Sequence, residues 1–218
     1  MKTNPLSSLL TPEQEKYYNK IRLYSFFYPF KRKKLNQVGN DVKKILEGFN
    51  ITYPLVFNFK DSREFSKYAL GYTDSTKYMN YKIFIYYNPR FIAFDYNELI
   101  KTGLHEYCHI IYRQKEDFSN KLLQQFFLDI DYDHFIESID HLTKKFVLKC
   151  IPQIPPTKRE ILRDPKNIEE FFAEGFAGYF IGYQGDIFIE EKKHFEIIVS
   201  THIKIMKGIR HLYFGEML

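Results

Sequence analysis

The residues best suited to chemistry in this chain form the run His105-Glu106-Tyr107-Cys108-His109. Two histidines four residues apart on a helix project from the same face, about one turn apart. At that spacing both imidazoles can bind one Zn²⁺ ion, at about 2.0–2.1 Å from each ring nitrogen. The neighbouring Glu can then take a proton from a water that attacks a peptide carbonyl and pass it to the leaving amine. The run therefore predicts a zinc site with Glu106 as the catalytic base.

A catalytic zinc site needs a third protein ligand and keeps its fourth position for water. Residues 167–176 (NIEEFFAEGF) offer two carboxylates, Glu170 and Glu174, which share one face of a predicted helix. One carboxylate can bind the metal, and the other can accept the far N–H of a ligand histidine and fix its tautomer. Phe172 and Phe176 have the same spacing and can pack the helix against a core. From spacing alone either carboxylate can be the ligand, and an ordinary amphipathic helix with exposed Glu side chains is the alternative.

Together, HEYCH at 105–109 and NIEEFFAEGF at 167–176 resemble the gluzincin peptidases, most closely the group of the lethal factor peptidase domain and the Pro-Pro endopeptidases. The close match is confined to these two segments. The resemblance implies a zincin-like fold, one Zn²⁺ ion, and hydrolysis of peptide or protein substrates. It also implies that Glu170 is the third metal ligand and that Glu174 supports a ligand histidine.

The chain departs from this group at one position. Members carry a Tyr seven residues before the ligand Glu, where it stabilises the oxyanion, whereas this chain has Arg163 there. A guanidinium is chemically adequate as an oxyanion donor, and a surface Arg on a loop is the equal alternative. The departure bears on activity rather than on metal binding. A zincin-fold binding protein with weak or no catalysis is therefore the second hypothesis.

The patterns around the two motifs predict helices, then a small sheet, then more helices, which is an α+β layout. Strands are predicted at 51–60, 67–73 and 81–88. Before them, residues 11–48 are predicted to form two helices, the second from about Leu35 to Gly48. After them, helices are predicted from about Asp95 to Arg113, over most of 117–150, from about Pro165 to Tyr183, and from about Ile189 to Ile209. We expect an N-terminal helical part, residues 1–50, and a zincin-like peptidase part, residues 51–218, within one compact domain. Its small mixed sheet would carry an HExxH helix, and its C-terminal helical half would carry the third ligand.

Zincins bind extended substrates by strand addition at a sheet edge. The Tyr-rich stretch from Tyr68 to Thr73, which includes Gly71, is therefore a hypothetical substrate edge. Asp74 to Thr76 would form the turn after it. Five further histidines lack a partner at ligand spacing and are predicted to lie on the surface or in the core: His134, His141, His194, His202 and His211.

The amino-acid composition limits which class of protein this chain can be. Hydrophobic residues make up 44% and aromatic residues 18% of the chain, which supports a packed core and excludes a disordered class. Part of the net charge of +5 lies in the basic run Lys31 to Lys34. The run is predicted to be a solvated turn between helices, with contact with nucleic acid or an anionic membrane as the alternative. No known nucleic-acid motif accompanies it, so no nucleic-acid partner is expected.

No stretch has the apolar length of a membrane span or a secretory signal. The default expectation is a cytoplasmic protein, and export by another route stays open. Cys108 and Cys150 are too few for a disulfide framework, and Cys108 is predicted to be a free buried thiol. The sequence does not predict the oligomeric state or the cleavage specificity.

Overall fold

The computed structural model describes residues 11–61, 65, 69–73, 82–119, 124–125, 129–154, 160, 162, 164–182 and 185–214. Its helices are α1 (Pro12–Phe27), α2 (Lys31–Gly48), α3 (Tyr96–Phe118), α4 (Tyr132–Cys150), α5 (Pro165–Phe180), α6 (Asp186–Glu190) and α7 (Lys192–Phe214). Its strands are β1 (Leu55–Phe59), β2 (Gly71–Thr73) and β3 (Ile83–Tyr87). A mostly helical chain with one small mixed sheet is the α+β class that the sequence predicts. None of the described helices is both long and apolar enough to cross a membrane.

The first helix begins as predicted, at the Thr11 cap. Thr11 and Gln14 form a capping box, in which each side chain bonds the other's backbone N–H. The second helix begins at Lys31, so the prediction of a start near Leu35 is wrong, and the basic run is helical rather than a turn. The N–H of Lys34 bonds the Phe30 carbonyl at 3.0 Å, and lysine and arginine are good helix formers.

The inner face of α2 follows the predicted pattern. Leu35, Val38, Val42 and Leu46 are fully buried in the main hydrophobic core. Lys34 helps to fix the helix, because its ammonium donates to the Phe94 carbonyl at 2.7 Å. The N-terminal helical part is therefore joined to the rest of the described chain through a shared core.

The sheet has the strand order β1-β3-β2. β1 runs parallel to β3, and β2 runs antiparallel to it with Gly71 opposite Tyr87. Residues along β3 alternate between the core and solvent, because Ile83 and Ile85 are buried while Phe84 is exposed. Both β1 and β2 lie at edges of the described sheet, and β2 lies against α3. The predicted turn at Asp74 to Thr76 falls outside the described residues.

The helix that carries the HExxH run is longer than predicted. Asp95 caps it by accepting the N–H of Asn97 at 2.9 Å, and it continues to Phe118 rather than ending near Arg113. The side chains expected to anchor it, Leu104, Cys108 and Ile111, are fully buried, and Cys108 is a free thiol as predicted. The motif therefore lies in the interior stretch of a helix packed on both sides, by β2 and by α5.

The C-terminal half is helical, with two differences from the prediction. The helical prediction for 117–150 is observed from Tyr132 onward, and residues 120–123 and 126–128 lie outside the described part. α5 begins at Pro165 as predicted, after the Asp164 cap, and Tyr183 also lies outside. The helix predicted from about Ile189 to Ile209 is observed as α7, but it begins at Lys192, because the chain breaks at Glu191 between α6 and α7. The buried Glu191 carboxylate bonds Lys145 and His141 of α4, which places this residue against α4.

Candidate metal centre

The two histidines of α3 turn their ring nitrogens toward one point. The Nε2 atoms of His105 and His109 lie 3.2 Å apart, and the rings meet edge to face at 78°. Two nitrogens that share one tetrahedral ion at the usual bond length lie about 3.3 Å apart. The i, i+4 spacing on α3 therefore places both imidazoles at metal-sharing distance.

Glu170 supplies a carboxylate to the same point from α5. Its Oε2 lies 3.2 Å from His105 Nε2, and its Oε1 lies 3.8 Å from His109 Nε2. α5 is held against the core by Phe172 and Phe176, which are fully buried and stacked on each other as the sequence predicts. Gly175 allows α5 to approach α4 closely, since a Cβ there would lie 2.4 Å from the Phe146 ring.

The far nitrogens of both imidazoles face carboxylates. His105 Nδ1 lies 3.3 Å from a Glu174 oxygen, and Lys101 bonds the other oxygen of Glu174. His109 Nδ1 lies 2.7 Å from Glu169 Oε1. A proton held on Nδ1 leaves the Nε2 lone pair free to bind a cation. The two carboxylates thus orient both imidazoles and favour a proton on Nδ1, which is the tautomer that a metal ligand needs.

Glu174 occupies the supporting position that the sequence predicted, whereas the partner of His109 was missed. Glu169 directly precedes Glu170, so it lies about 100° further around α5 and outside the i, i+4 pattern. The signal that could have found it is the pair of adjacent acidic residues in NIEEFF. Two ligand histidines need two orienting partners, and the predicted motif supplied only one.

Glu106 lies beside the two histidines and against the sheet. Its carboxylate and the nitrogens of His105 and His109 all lie within 4.8 Å of one another. It is 7% exposed and accepts a hydrogen bond from the backbone of Thr73 in β2. A Cβ on Gly71 would lie 2.9 Å from Glu106 Oε1, so glycine is what allows β2 to pass this close to the carboxylate.

The electrostatics of the site favour a cation. Four carboxylates surround the histidines: those of Glu106, Glu169, Glu170 and Glu174. One of the four, Glu174, also pairs with the ammonium group of Lys101. Burial lowers the pKa of His105, but hydrogen bonds to Glu170 and Glu174 outweigh it and raise that pKa well above its ordinary value. Burial raises the pKa of Glu106, and the nearby histidines oppose that rise. The donor atoms and the charge therefore fit a metal ion.

Some residues considered for the site lie elsewhere in the structure or outside the residues that it describes. Arg163 and Tyr68 are not among the described residues, so their roles stay predictions. His202 is a core histidine, as expected, with Tyr107 Oη and Gln114 Oε1 each at 2.7 Å from one ring nitrogen. Burial lowers its pKa to about 3.

A second group was missed by sequence reasoning. His141, Glu191 and His194 lie close enough together to be considered as metal ligands. His141 belongs to α4, and the other two lie at the junction of α6 and α7. Glu191 and His194 are three residues apart, but no spacing rule could have paired them with His141, which lies 50 residues before Glu191.

Comparison of the chain with protein-family models, with curated proteins and with solved structures found no match. The class of protein is therefore inferred from the geometry of the site and from the two sequence motifs.

Proposed function

We propose that the protein is a zinc-dependent metalloendopeptidase with a zincin-like fold that hydrolyses bonds in peptide or protein substrates. The main support is that the Glu170 carboxylate reaches two imidazoles whose Nε2 atoms lie 3.2 Å apart: one oxygen lies 3.2 Å from His105 Nε2 and the other lies 3.8 Å from His109 Nε2. Two imidazoles and one carboxylate form a ligand set of catalytic zinc sites, which leave a fourth position for water. These three residues would hold the ion, while Glu174 and Glu169 would orient the histidines.

A zinc ion at this position would supply Lewis acidity, which polarises a peptide carbonyl and lowers the pKa of water. Glu106 carries the proton in the proposed reaction. Its carboxylate takes a proton from the attacking water and then gives it to the amine nitrogen of the breaking peptide bond. The hydrogen bond from Thr73 holds the carboxylate in place, so that its position does not depend on the metal alone.

The position of β2 supports a peptide as the substrate class. Within the described sheet, β2 pairs with β3 on one side only, and it passes directly beside Glu106. An extended peptide can add to such an edge through backbone hydrogen bonds. That binding mode would bring the peptide close to the proposed base. A small-molecule hydrolase would gain nothing from this placement.

The test compares cleavage and zinc content in matched variants. Zinc-loaded wild type, Glu106→Gln and Glu116→Gln are each incubated with a mixed peptide library, and products are identified by mass spectrometry. We expect Glu106→Gln to lose about 10²–10⁴-fold in cleavage rate, because an amide of similar shape cannot accept the proton. Its zinc content should equal that of the wild type. Glu116 lies on the same helix and pairs with Arg113, so Glu116→Gln controls for loss of a carboxylate on α3.

Two results would count against the proposal in different ways. Full activity in Glu106→Gln would refute the role of Glu106 as the base. A zinc-loaded wild type that cleaves no library peptide would favour the second hypothesis, a zincin-fold binding protein without turnover.

A further inference from the structure

The corner between α1 and α2 exposes an unusual concentration of large apolar side chains. Six of the nine exposed large hydrophobic residues in the described part of the chain lie between Tyr17 and Phe30. The five most exposed of the six have between 56% and 76% of their surface in solvent. They are Leu23, Tyr24, Phe26, Phe27 and Phe30. We name these five residues the apolar corner. An exposed apolar cluster of this kind marks an interaction surface.

The apolar corner is not needed to hold α1 in place. The inner stripe of α1 already packs on the chain through Tyr18, whose ring meets Phe91 and Phe94 edge to face. Ser25 adds a polar anchor, because its hydroxyl accepts the N–H of Ala93 at 2.8 Å. The exposed residues lie away from this stripe, so they are available to a partner.

The segment that carries the apolar corner has charge of one sign. Between Lys16 and Asn40 the chain has seven lysines and arginines and no acidic residue, although the whole chain has a net charge of only +5. Lys34 and Arg32 have structural partners, the Phe94 carbonyl and the Asn58 amide oxygen. Lys31 and Lys33 follow directly after Phe30, and no ion pair ties them to another described residue. The first turn of α2 contains no acidic residue, so these cations also lie unfavourably at the positive end of the helix dipole.

We propose that the apolar corner docks on the surface of an anionic lipid bilayer. Phe26, Phe27 and Phe30 would enter the boundary between headgroups and acyl chains, and the surrounding lysines and arginines would face lipid phosphates and carboxylates. Apolar side chains at a protruding corner, with cations beside them, are the features that place a helix in a membrane interface. This inference does not depend on whether the metal centre is catalytic.

Two other partners fit the same residues less well. A symmetric dimer through the apolar corner would bring two sets of seven cations together, with no acidic residue in the segment to offset them. A nucleic acid would use exposed aromatic faces for base stacking, but Phe26 and Phe27 pack edge to face on each other, with ring centroids 5.1 Å apart. Leu23 would gain nothing from such a partner.

Vesicle binding tests the proposal with the full chain. The probes are vesicles of phosphatidylcholine alone and vesicles of equal parts phosphatidylcholine and phosphatidylserine. We expect the wild type to sediment with the mixed vesicles, with an affinity about tenfold or more above that for phosphatidylcholine alone, and added salt should weaken the binding. Phe26→Ser/Phe27→Ser and Lys31→Glu/Lys33→Glu should each lower the affinity for mixed vesicles by about tenfold or more.

Matched controls exist elsewhere on the surface. Ile189 is 72% exposed on α6, and the Lys44 side chain is 75% exposed at the other end of α2. Ile189→Ser and Lys44→Glu should bind mixed vesicles as the wild type does. Lys31 is half-buried and the other substituted side chains are exposed, so the variants should fold, and circular dichroism would verify this.

A fluorescence measurement reports insertion directly. The chain has no tryptophan, so Phe27→Trp places a single indole at the apolar corner and Ile189→Trp places one at the control position. We expect the emission of Phe27→Trp, but not of Ile189→Trp, to shift to shorter wavelength on addition of mixed vesicles.

Three results would overturn the proposal. One is the absence of binding to mixed vesicles. Another is vesicle binding that Phe26→Ser/Phe27→Ser leaves unchanged, together with an affinity for a DNA duplex equal to that for the mixed vesicles. That result would indicate a surface that binds polyanions in general. The third is a concentration-dependent dimer that Phe26→Ser/Phe27→Ser abolishes, which would make the apolar corner an interface between copies of the chain.

Discussion

Two groups of two histidines and a glutamate lie in different parts of this molecule, and their geometry differs. The first, which we name the α3–α5 cluster, consists of His105, His109 and Glu170, with Glu106 beside the two histidines. The second, the α4–α7 cluster, consists of His141, Glu191 and His194. In the first cluster the rings meet at 78°, so their lone pairs converge. In the second they stack at 25° with centroids 4.3 Å apart, so lone pairs in the ring planes run side by side.

Charge separates the two clusters further. Carboxylates predominate around the α3–α5 cluster, whereas the Glu191 carboxylate is already paired with Lys145 at 2.8 Å and with His141 at 2.7 Å. These hydrogen bonds lower the pKa of Glu191. A divalent ion would have to compete with the ammonium group of Lys145 for this carboxylate. The second cluster is thus suited to tie α4 to the start of α7, and the first is suited to bind a cation.

The groups that hold the imidazole rings in place also differ between the two clusters. Both imidazoles of the α3–α5 cluster have a carboxylate at Nδ1, from Glu174 and Glu169. In the α4–α7 cluster, the Nδ1 atom of His194 has only a hydroxyl, Ser138 Oγ at 3.1 Å. The comparison shows that residue types alone do not define a metal site. Convergent ring nitrogens, a ligand carboxylate that is not paired with a lysine, and orienting partners must occur together.

The largest effect is expected from the residues facing the metal position. Glu170→Ala removes a proposed ligand, so zinc affinity should fall more than in Glu174→Ala, where removing an orienting partner should cost about 10–100-fold. Competition with a fluorescent zinc chelator measures both. If Glu174→Ala were the weaker binder of the two, the ligand would be wrongly assigned.

A smaller effect is expected when the ring partner is removed in each cluster. Glu169→Ala should lower zinc affinity by about tenfold or more, because His109 loses the group that fixes its tautomer. Ser138→Ala removes the corresponding partner of His194 and should leave zinc affinity unchanged. The same chelator competition applies. Equal losses in the two variants would show that both clusters hold zinc, and the comparison would fail.

The smallest effect concerns the pH dependence of stability in the α4–α7 cluster. Burial, His141, His134 and Lys193 lower the pKa of His194, against an opposing effect of Glu191. The unfolded chain therefore binds this proton at a higher pH than the folded protein, so the contribution of His194 to stability is lost as the pH falls below about 6.5. The ring is partly exposed and screened by solvent, so the loss from pH 7 to pH 5 should be small.

Urea unfolding of wild type and His194→Gln at both pH values measures this effect. Groups that titrate in both proteins cancel in the difference, and the wild type should lose more stability on acidification than the variant. A greater loss in the variant would give the opposite sign and contradict the assignment.

Local spacing made much of the fold and part of the site predictable. Val38 and Val42 follow a helical period, and Ile83 and Ile85 follow a strand period, so their burial could be read from the sequence. The HExxH run and the predicted helix of Glu170 and Glu174 are likewise local patterns, and the structure brings them together.

What could not be predicted depends on contacts between distant elements. Glu169 reaches His109 only because α5 packs against α3. The break at Glu191 occurs where that residue's carboxylate meets α4, which no neighbouring residue signals. The error on the basic run has a local cause instead: lysine and arginine are good helix formers, so the run continues α2 rather than forming a turn.

Metal stoichiometry tests the central claim most directly. Wild type, His105→Ala/His109→Ala and His141→Ala/His194→Ala are dialysed against dilute zinc and examined by elemental analysis. The account predicts about one zinc per chain in the wild type and in the His141→Ala/His194→Ala variant, and almost none in the His105→Ala/His109→Ala variant. A wild type that takes up no zinc, or a zinc content that survives in His105→Ala/His109→Ala, would contradict it.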